Sequence, residues 1–449
     1  MARGTEINRF RAGSGNQLGC FSEALIVKGK KINSRERLEK TLNRQPVDRV
    51  CVDFGATHVT GISASTLSSV RKALLGEEDY RVKVHEPFQM LGQIDEKLME
   101  ALGIDVVGVM PPKTMFGFEC KDWKEFTMFD GTEVLVPGNF NVKDDGRGGW
   151  YLYPEGDTSV EPSGHMPKDG FYFDAICRQG PIDEDKLEPA DNLVEFGELT
   201  TADIQPLVDE ADKAVQANKG TILSTPGTGF GDIALVPAMW MKDTPGIRDV
   251  EEWYVSTAMR RDYVYKVFEG QCEIALKNLK LLIDALGDKI QAAFTTGTDF
   301  GTQNGLFISP QAYLDLFKPF HKKINDYIHA NSNWKVFMHS CGAVKELIPD
   351  FIEAGFDILN PVQCSAAGMD PRQLKNEFGK DIIFWGGGVD TQKTLPFGTP
   401  QEVYNEVRQR IEIFNNPTGM VFNTIHNIQA KTPLKNVLAI FRAVADSSK

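Results

Sequence analysis

Short runs of β-branched and aliphatic residues recur along the chain, each followed by a polar or glycine-rich loop and then by apolar residues spaced three and four apart. RVCVDFGATH over 49–58 and DVVGVMPP over 105–112 are the first two runs, and GTILSTPGTG over 220–229 and QAAFTTGTDFG over 291–301 the next two. KVFMHSCG over 335–342, DILNPVQC over 357–364, IIFWGGGVD over 382–390 and MVFNTIHN over 420–427 complete a set of eight. Helical patterns lie before and between them, over 34–43, 88–103, 309–330, 343–355, 370–379 and 399–415, several with Ser, Thr or Asp where an N-cap belongs. Strands that alternate with helices pair in parallel, and eight such units predict an α/β fold closed into a (β/α)8 TIM barrel. An open doubly wound sheet is the alternative. No G-x-G-x-x-G stands between the first strand and its helix, so dinucleotide binding of that type has no support.

The rhythm breaks between about 114 and 198, where aromatic residues, alternation and D-G turns predict antiparallel hairpins. Following the second strand, this β-rich insertion is expected to wall or cover the barrel mouth. The domain organisation expected is an N-terminal extension over 1–32 and a single barrel over 33–449 carrying that insertion.

Composition narrows the function more than the fold. Of the 449 residues 41% are hydrophobic and 25% charged, ordinary globular values. A net charge of -13 opposes sequence-independent nucleic-acid binding, which needs clustered cations. No apolar run reaches the roughly 20 residues of a membrane helix. The seven cysteines, at 20, 51, 120, 177, 272, 341 and 364, are scattered and odd in number, so a disulfide framework is not indicated and a reducing cytoplasm is the expected compartment. Cys20, in the extension, reads as an incidental thiol.

In a (β/α)8 barrel the chemistry sits at the C-terminal ends of the strands. The residues at those ends are Asp53 and His58 after the first strand, Thr225 and Asp232 after the third, and Asp299, Gln303 and Asn304 after the fourth. His339 and Cys341 follow the fifth, Gln363 and Cys364 the sixth, Asp390 the seventh, and Asn423, His426 and Asn427 the eighth. Thiolate and imidazole are the donors that a borderline divalent ion such as Zn²⁺ takes. An isolated H-x-C also arises by chance, and buried free cysteines pack as small hydrophobes. Convergence of His339, Cys341, Cys364 and His426 at strand ends favours a metal site, with His339, Cys341 and Cys364 as the expected ligands. Cys364 is preferred because it ends the neighbouring strand and because thiolate is the stronger donor to zinc; His426 is then a substrate-facing group or a fourth ligand. Asp232, Asp299 and His58 are the candidates for proton transfer, and Gln303, Gln363, Asn423 and His426 for substrate binding. His321 and His329 fall inside a helical pattern and are expected to pack or face solvent.

The stretches TTGTDFGTQNGLFISPQAYLDLFKPFHKKI, MHSCGAVKELIPDFIEAGFDILNPVQCSAAGMDP and FWGGGVDTQKTLPFGTPQEV resemble the uroporphyrinogen decarboxylase superfamily, in particular its methyltransferase branch that works with corrinoid proteins. The resemblance runs from about residue 34 to the C-terminus and implies the same barrel. Decarboxylases of the superfamily carry an arginine-bearing R-Q-A-G-R loop early in the barrel, whereas this chain has DFGATHVTGIS without arginine. The methyltransferase branch holds zinc with H-x-C and a late cysteine near the last strand. NTIHNIQ stands at that place here, so the family position favours His426 as the third ligand where proximity favours Cys364. The resemblance implies methyl transfer between a small substrate and the cobalt of a corrinoid (cobalamin) carried by a separate protein; a homodimer is a compatible assembly. A metal-free decarboxylase or lyase using Asp232, Asp299 and His58, and a non-catalytic small-molecule-binding barrel, are the competing readings.

Overall fold

The computed structural model describes residues 32–447. The expected extension, with Cys20, lies outside the described residues except for residue 32. The eight expected strands all form: β1 Cys51–Val52, β2 Val106–Val109, β3 Gly220–Ser224, β4 Ala292–Thr296, β5 Lys335–His339, β6 Ile358–Asn360, β7 Ile383–Trp385 and β8 Met420–Phe422. They make one parallel sheet in the order β1-β8-β7-β6-β5-β4-β3-β2, with Cys51 opposite Val421, Ile358 opposite Ile383 and Gly220 opposite Val106. At the remaining seam the Asp105 N–H donates to the Val52 carbonyl at 2.8 Å and the Val52 N–H donates to Asp105 Oδ2 at 2.9 Å. The ring is thereby closed, and the fold is a (β/α)8 barrel.

The alternation within the strands explains how the barrel is filled. Cys51, Val106, Ile222, Ala292, Phe337, Ile358, Ile383 and Val421 form one buried cluster, joined by Leu38 and Leu42 of the helix Ser34–Leu42. These are the inward positions, and the helix plugs the N-terminal end. A Cβ on Gly220 would stand 2.7 Å from Leu38 Cδ2, so only glycine lets the plug seat. The outward positions pack in a second, larger cluster against the helices. Two residues further along several strands the inward face turns polar: Asp53, His339, Asn360 and Asn423 follow Cys51, Phe337, Ile358 and Val421, all with side chains buried. The lumen is thus an apolar plug with a polar lid, which places the chemistry at the C-terminal end.

The segment after β2 forms hairpins as its D-G turns indicate. Val142–Asp144, Trp150–Leu152, Gly164–Met166 and Asp174–Ala175 make an antiparallel sheet, and Lys124–Thr127 pairs antiparallel with Glu133–Val136. Phe129 stacks on Trp150 with ring centroids 3.8 Å apart. One pairing is absent from the sequence reading: Val82–Glu86, a segment preceding β2, pairs in parallel with Glu133–Val136 and ties the insertion to the barrel. The helix expected over 88–103 is correspondingly shorter. Leu91–Gly92 pairs with Val82–Glu86, and the helix spans only Glu96–Leu102, with Asp95 accepting the Leu98 N–H at 3.0 Å as its N-cap. Gly92 is the reason, since a Cβ there would stand 2.7 Å from both Leu67 and Val82 and the residue is needed for close strand contact rather than a helical turn.

Candidate active site

β5 ends on His339, whose ring is 3% exposed. Its Nδ1 lies 2.6 Å from Asn360 Oδ1, and the Asn360 amide nitrogen donates to the Trp385 carbonyl at 2.8 Å. Anchoring of the amide nitrogen presents the amide oxygen to the ring, so Nδ1 carries the proton and the Nε2 lone pair is free. That lone pair faces Cys341 Sγ at 3.3 Å. Cys341 is fixed from two sides: its N–H donates to Asp299 Oδ1 at 2.7 Å, and the next N–H, of Gly342, donates to Gln363 Oε1 at 2.7 Å. Gly342 adopts φ +88° with a would-be Cβ 2.3 Å from Gly301 backbone, so this turn requires glycine.

His426, after β8, comes to the same point. Its ring centroid is 5.6 Å from that of His339, and one donor atom each from His339, Cys341 and His426 lie within 4.8 Å of one another. Among the described residues this is the group of three or more His, Cys, Asp and Glu side chains compact enough for an ion. The expected third ligand differs: Cys364 does not join the group. Its sulfur lies 3.6 Å from where a Cβ on Gly387 would be, packed against the core, and burial pushes its thiol up to about 12. The loop after β6 turns at Val362, whose carbonyl accepts the Cys364 N–H at 2.8 Å, and this sends the thiol outward while Gln363 turns toward Gly342.

Burial moves the ionisable groups around this point toward their neutral forms. Burial lowers His339 and His426 to about 4, so both imidazoles are neutral at physiological pH. Burial, with Asp299 nearby, raises Cys341 well above the usual thiol range. Asp299 is itself raised by burial, and Asp232 is raised to about 6 by burial, with Asp299 as an additional like charge. Neutral imidazoles and a thiol gathered beside two carboxyls are a donor set that suits a divalent ion.

Two cavities meet at this group. One, of about 390 Å³, is lined by His58, Glu86, Thr225, Asp232, Asp299, His339 and His426 together with apolar side chains of the β2 and β3 loops. The other, of about 280 Å³, is lined by Asp299, Gln303, Cys341, Gln363, Gln392 and His426. Asp299 and His426 therefore face both. His58, Asp232 and Asp299, expected in proton transfer, all reach the larger cavity, while Gln303 and Gln363 reach the smaller one. Asn423 does neither. Fully buried, its amide donates to the Asp53 carbonyl at 2.7 Å and the Thr60 carbonyl at 3.2 Å, which makes it a strut of the β1 loop. His321 is buried beside Tyr313, and His329 pairs with Asp357 at 2.7 Å, both away from the cavities, as their helical pattern indicates.

Residues absent from the sequence reading complete the site. Asn360, the last residue of β6, orients His339; counting two on from the inward-facing Ile358 would have found it. Glu86, 1% exposed, lines the larger cavity from the strand Val82–Glu86, with its carboxylate accepting the Phe88 N–H at 2.9 Å and the Gln89 N–H at 2.7 Å. Tyr254 donates its hydroxyl to the Asp299 carbonyl at 2.8 Å. No local pattern marks Glu86 or Tyr254, because each reaches the site through contacts distant in sequence.

The family model for uroporphyrinogen decarboxylase (URO-D) matches residues 245–447. The matched stretch holds β4 to β8, hence His339, Cys341, His426 and Asp299, whereas His58, Glu86 and Asp232 precede it. A methylated-thiol–coenzyme M methyltransferase of Methanosarcina mazei is 26% identical over 163 residues, 35% of this chain and 40% of the relative, so the aligned stretch spans well under half of that protein. Among solved structures, a methyltransferase from Methanosarcina mazei aligns with 93% of this chain and 99% of its own, at 13% identity and a TM-score of 0.49. Among the described residues no helix is long and apolar enough to cross a membrane.

Proposed function

We propose that the chain is a zinc-dependent methyltransferase that moves a methyl group between a small substrate and the cobalt of a separate corrinoid protein. The convergence of donor atoms from His339, Cys341 and His426 within 4.8 Å at the barrel mouth carries the reading. The match of residues 245–447 to the URO-D family model and the similarity to a methylated-thiol methyltransferase support it. The His-Cys-His set suits zinc, which takes imidazole and thiolate in reactive sites with three protein ligands and an open position. Bound there, zinc supplies Lewis acidity that makes a thiol a better nucleophile or a methylated heteroatom a better leaving group. Asn360 holds the His339 tautomer, Asp299 and Gln363 accept from the successive backbone N–H groups of Cys341 and Gly342, and Tyr254 holds Asp299. Asp232, at about 6 through burial, is close enough to neutrality to accept or release a proton on the substrate side.

The test is metal content and methyl transfer together. Protein purified without chelator is expected to hold about one zinc per chain and to exchange methyl groups with added methylcobalamin or cob(I)alamin. Metal-free protein with full turnover, or zinc-loaded protein inert toward cobalamin with a range of methylated thiols, ethers and amines, would refute the reading.

A further inference from the structure

The larger cavity has a second polar group, on the β1–β2 side of the barrel, separate from the His339–Cys341–His426 group on the β5 and β8 side. It consists of Glu86 and His58, with Thr225 on the β3 wall. Glu86 is 1% exposed and keeps acceptor lone pairs beyond those used by the Phe88 and Gln89 N–H groups. The ring nitrogens of His58 have no hydrogen-bond partner among the described residues, and Thr225 Oγ1 is buried without one, the residue being 9% exposed. A buried hydroxyl left unpaired is costly and points to a missing partner.

The group is built into the fold. The Asn427 amide donates to the His58 carbonyl at 2.8 Å and to Gln89 Oε1 at 2.7 Å, and the Gln89 amide donates to the His58 carbonyl at 3.0 Å. Asn427 adjoins His426, so one short loop after β8 fixes both polar groups of the cavity.

The same lining includes the apolar side chains Phe88, Met115, Leu235 and Phe294, together with the exposed Lys113. A cavity of about 390 Å³ lies in the range that takes ligands well above the size of a two-carbon thiol. Phenyl rings and a thioether favour a flat aromatic body, through edge, face and sulfur contacts. The polar end selects the substituent. Glu86 offers acceptors, His58 one donor and one acceptor, and Thr225 a hydroxyl, which match a group that both donates and accepts; a carboxylate would stand against Glu86.

We propose that this cavity binds a methylated ligand with an aromatic body and a hydroxyl substituent, the hydroxyl held by Glu86 and His58, the ring by Phe88, Met115, Leu235 and Phe294, and the methylated heteroatom directed toward His339, Cys341 and His426. The orientation of the methylated end rests on the function proposed above; the ligand class rests on the cavity.

Calorimetric titration of the zinc-loaded chain with 4-methoxybenzyl alcohol, methoxybenzene and 4-methoxybenzoate tests it. The alcohol is expected to bind about tenfold tighter than methoxybenzene and than the carboxylate. Glu86→Gln and His58→Ala should each erase that preference while leaving methoxybenzene affinity unchanged, and Met115→Trp, which fills the cavity, should weaken the alcohol and methoxybenzene tenfold or more. Equal affinity for the alcohol and methoxybenzene, tighter binding of the carboxylate, or a preference intact in both polar variants would overturn the proposal. Selective binding with no methyl transfer to cob(I)alamin would instead overturn the function and leave the ligand class standing.

Discussion

The two ends of the barrel bury charge in opposite ways. At the N-terminal end Asp105, fully buried, receives Arg37 Nη1 at 2.7 Å, Arg49 at 2.7 and 2.8 Å, Ser34 Oγ at 2.7 Å and the Val52 N–H at 2.9 Å, and Arg37 also pairs with Asp48 at 2.7 Å. At the C-terminal end Asp53 and Glu86 are buried and Asp232 and Asp299 half-buried, none of them in an ion pair with Arg or Lys among the described residues, and burial raises the first two to about 7. Paired buried charge closes the ring; unpaired buried charge weakens it and is retained where a ligand can complete it. The same fold thus separates a structural end from a chemical end.

Breaking the chemical end at its proposed ligands should have the largest effect. His339→Ala, Cys341→Ala and His426→Ala are each expected to lose zinc by elemental analysis and to lose methyl transfer by about three orders of magnitude or more, equivalent to at least roughly 4 kcal/mol. Cys364→Ser should keep both. If only Cys364→Ser loses metal, the outward placement of that thiol is refuted.

The structural end breaks next. Asp105→Ala takes from Arg37 and Arg49 the carboxylate they share at the seam between β1 and β2, and the expected cost is about 3–5 kcal/mol, read as a lower unfolding midpoint in urea. A midpoint shift below 1 kcal/mol would mean that the seam does not depend on this network.

A smaller effect is expected one residue behind the proposed ligands. Asn360→Ala frees the His339 ring to change tautomer, and zinc affinity should fall about 10- to 100-fold in competition with a chelator. Unchanged affinity would remove Asn360 from the site.

The mildest test is pH. Glu86 ionises near 4.5 when unfolded and near 7 when folded, so between those values the native state binds the extra proton. Its contribution to stability is present below about 4.5 and is lost as pH rises toward 7. Glu86→Gln should therefore flatten the decline in stability across that window, whatever its effect on the absolute midpoint; an identical slope in both proteins would contradict burial as the cause.

Barrel and hairpins were legible because their signals are local. A strand's two-residue period and a helix's three-to-four spacing are imposed by the side chains within a few positions, so β1 to β8 and the D-G hairpins could be read directly. Val82–Glu86 was missed because its partner, Glu133–Val136, lies some fifty residues on, and a five-residue strand says little without its neighbour.

The sequence by itself determined that His339 and Cys341 stand together at a strand end, since an H-x-C after an apolar run leaves little freedom. Which residue joins them was a tertiary decision. Cys364 and His426 both follow strands in short loops, and a loop side chain points wherever distant contacts send it. Packing against Gly387 turned the Cys364 thiol away, and the Asn427 clamp on the β1 loop and Gln89 brought the loop bearing His426 over the lumen. Periodicity fixes direction inside an element; beyond its end, only packing between remote parts of the chain does.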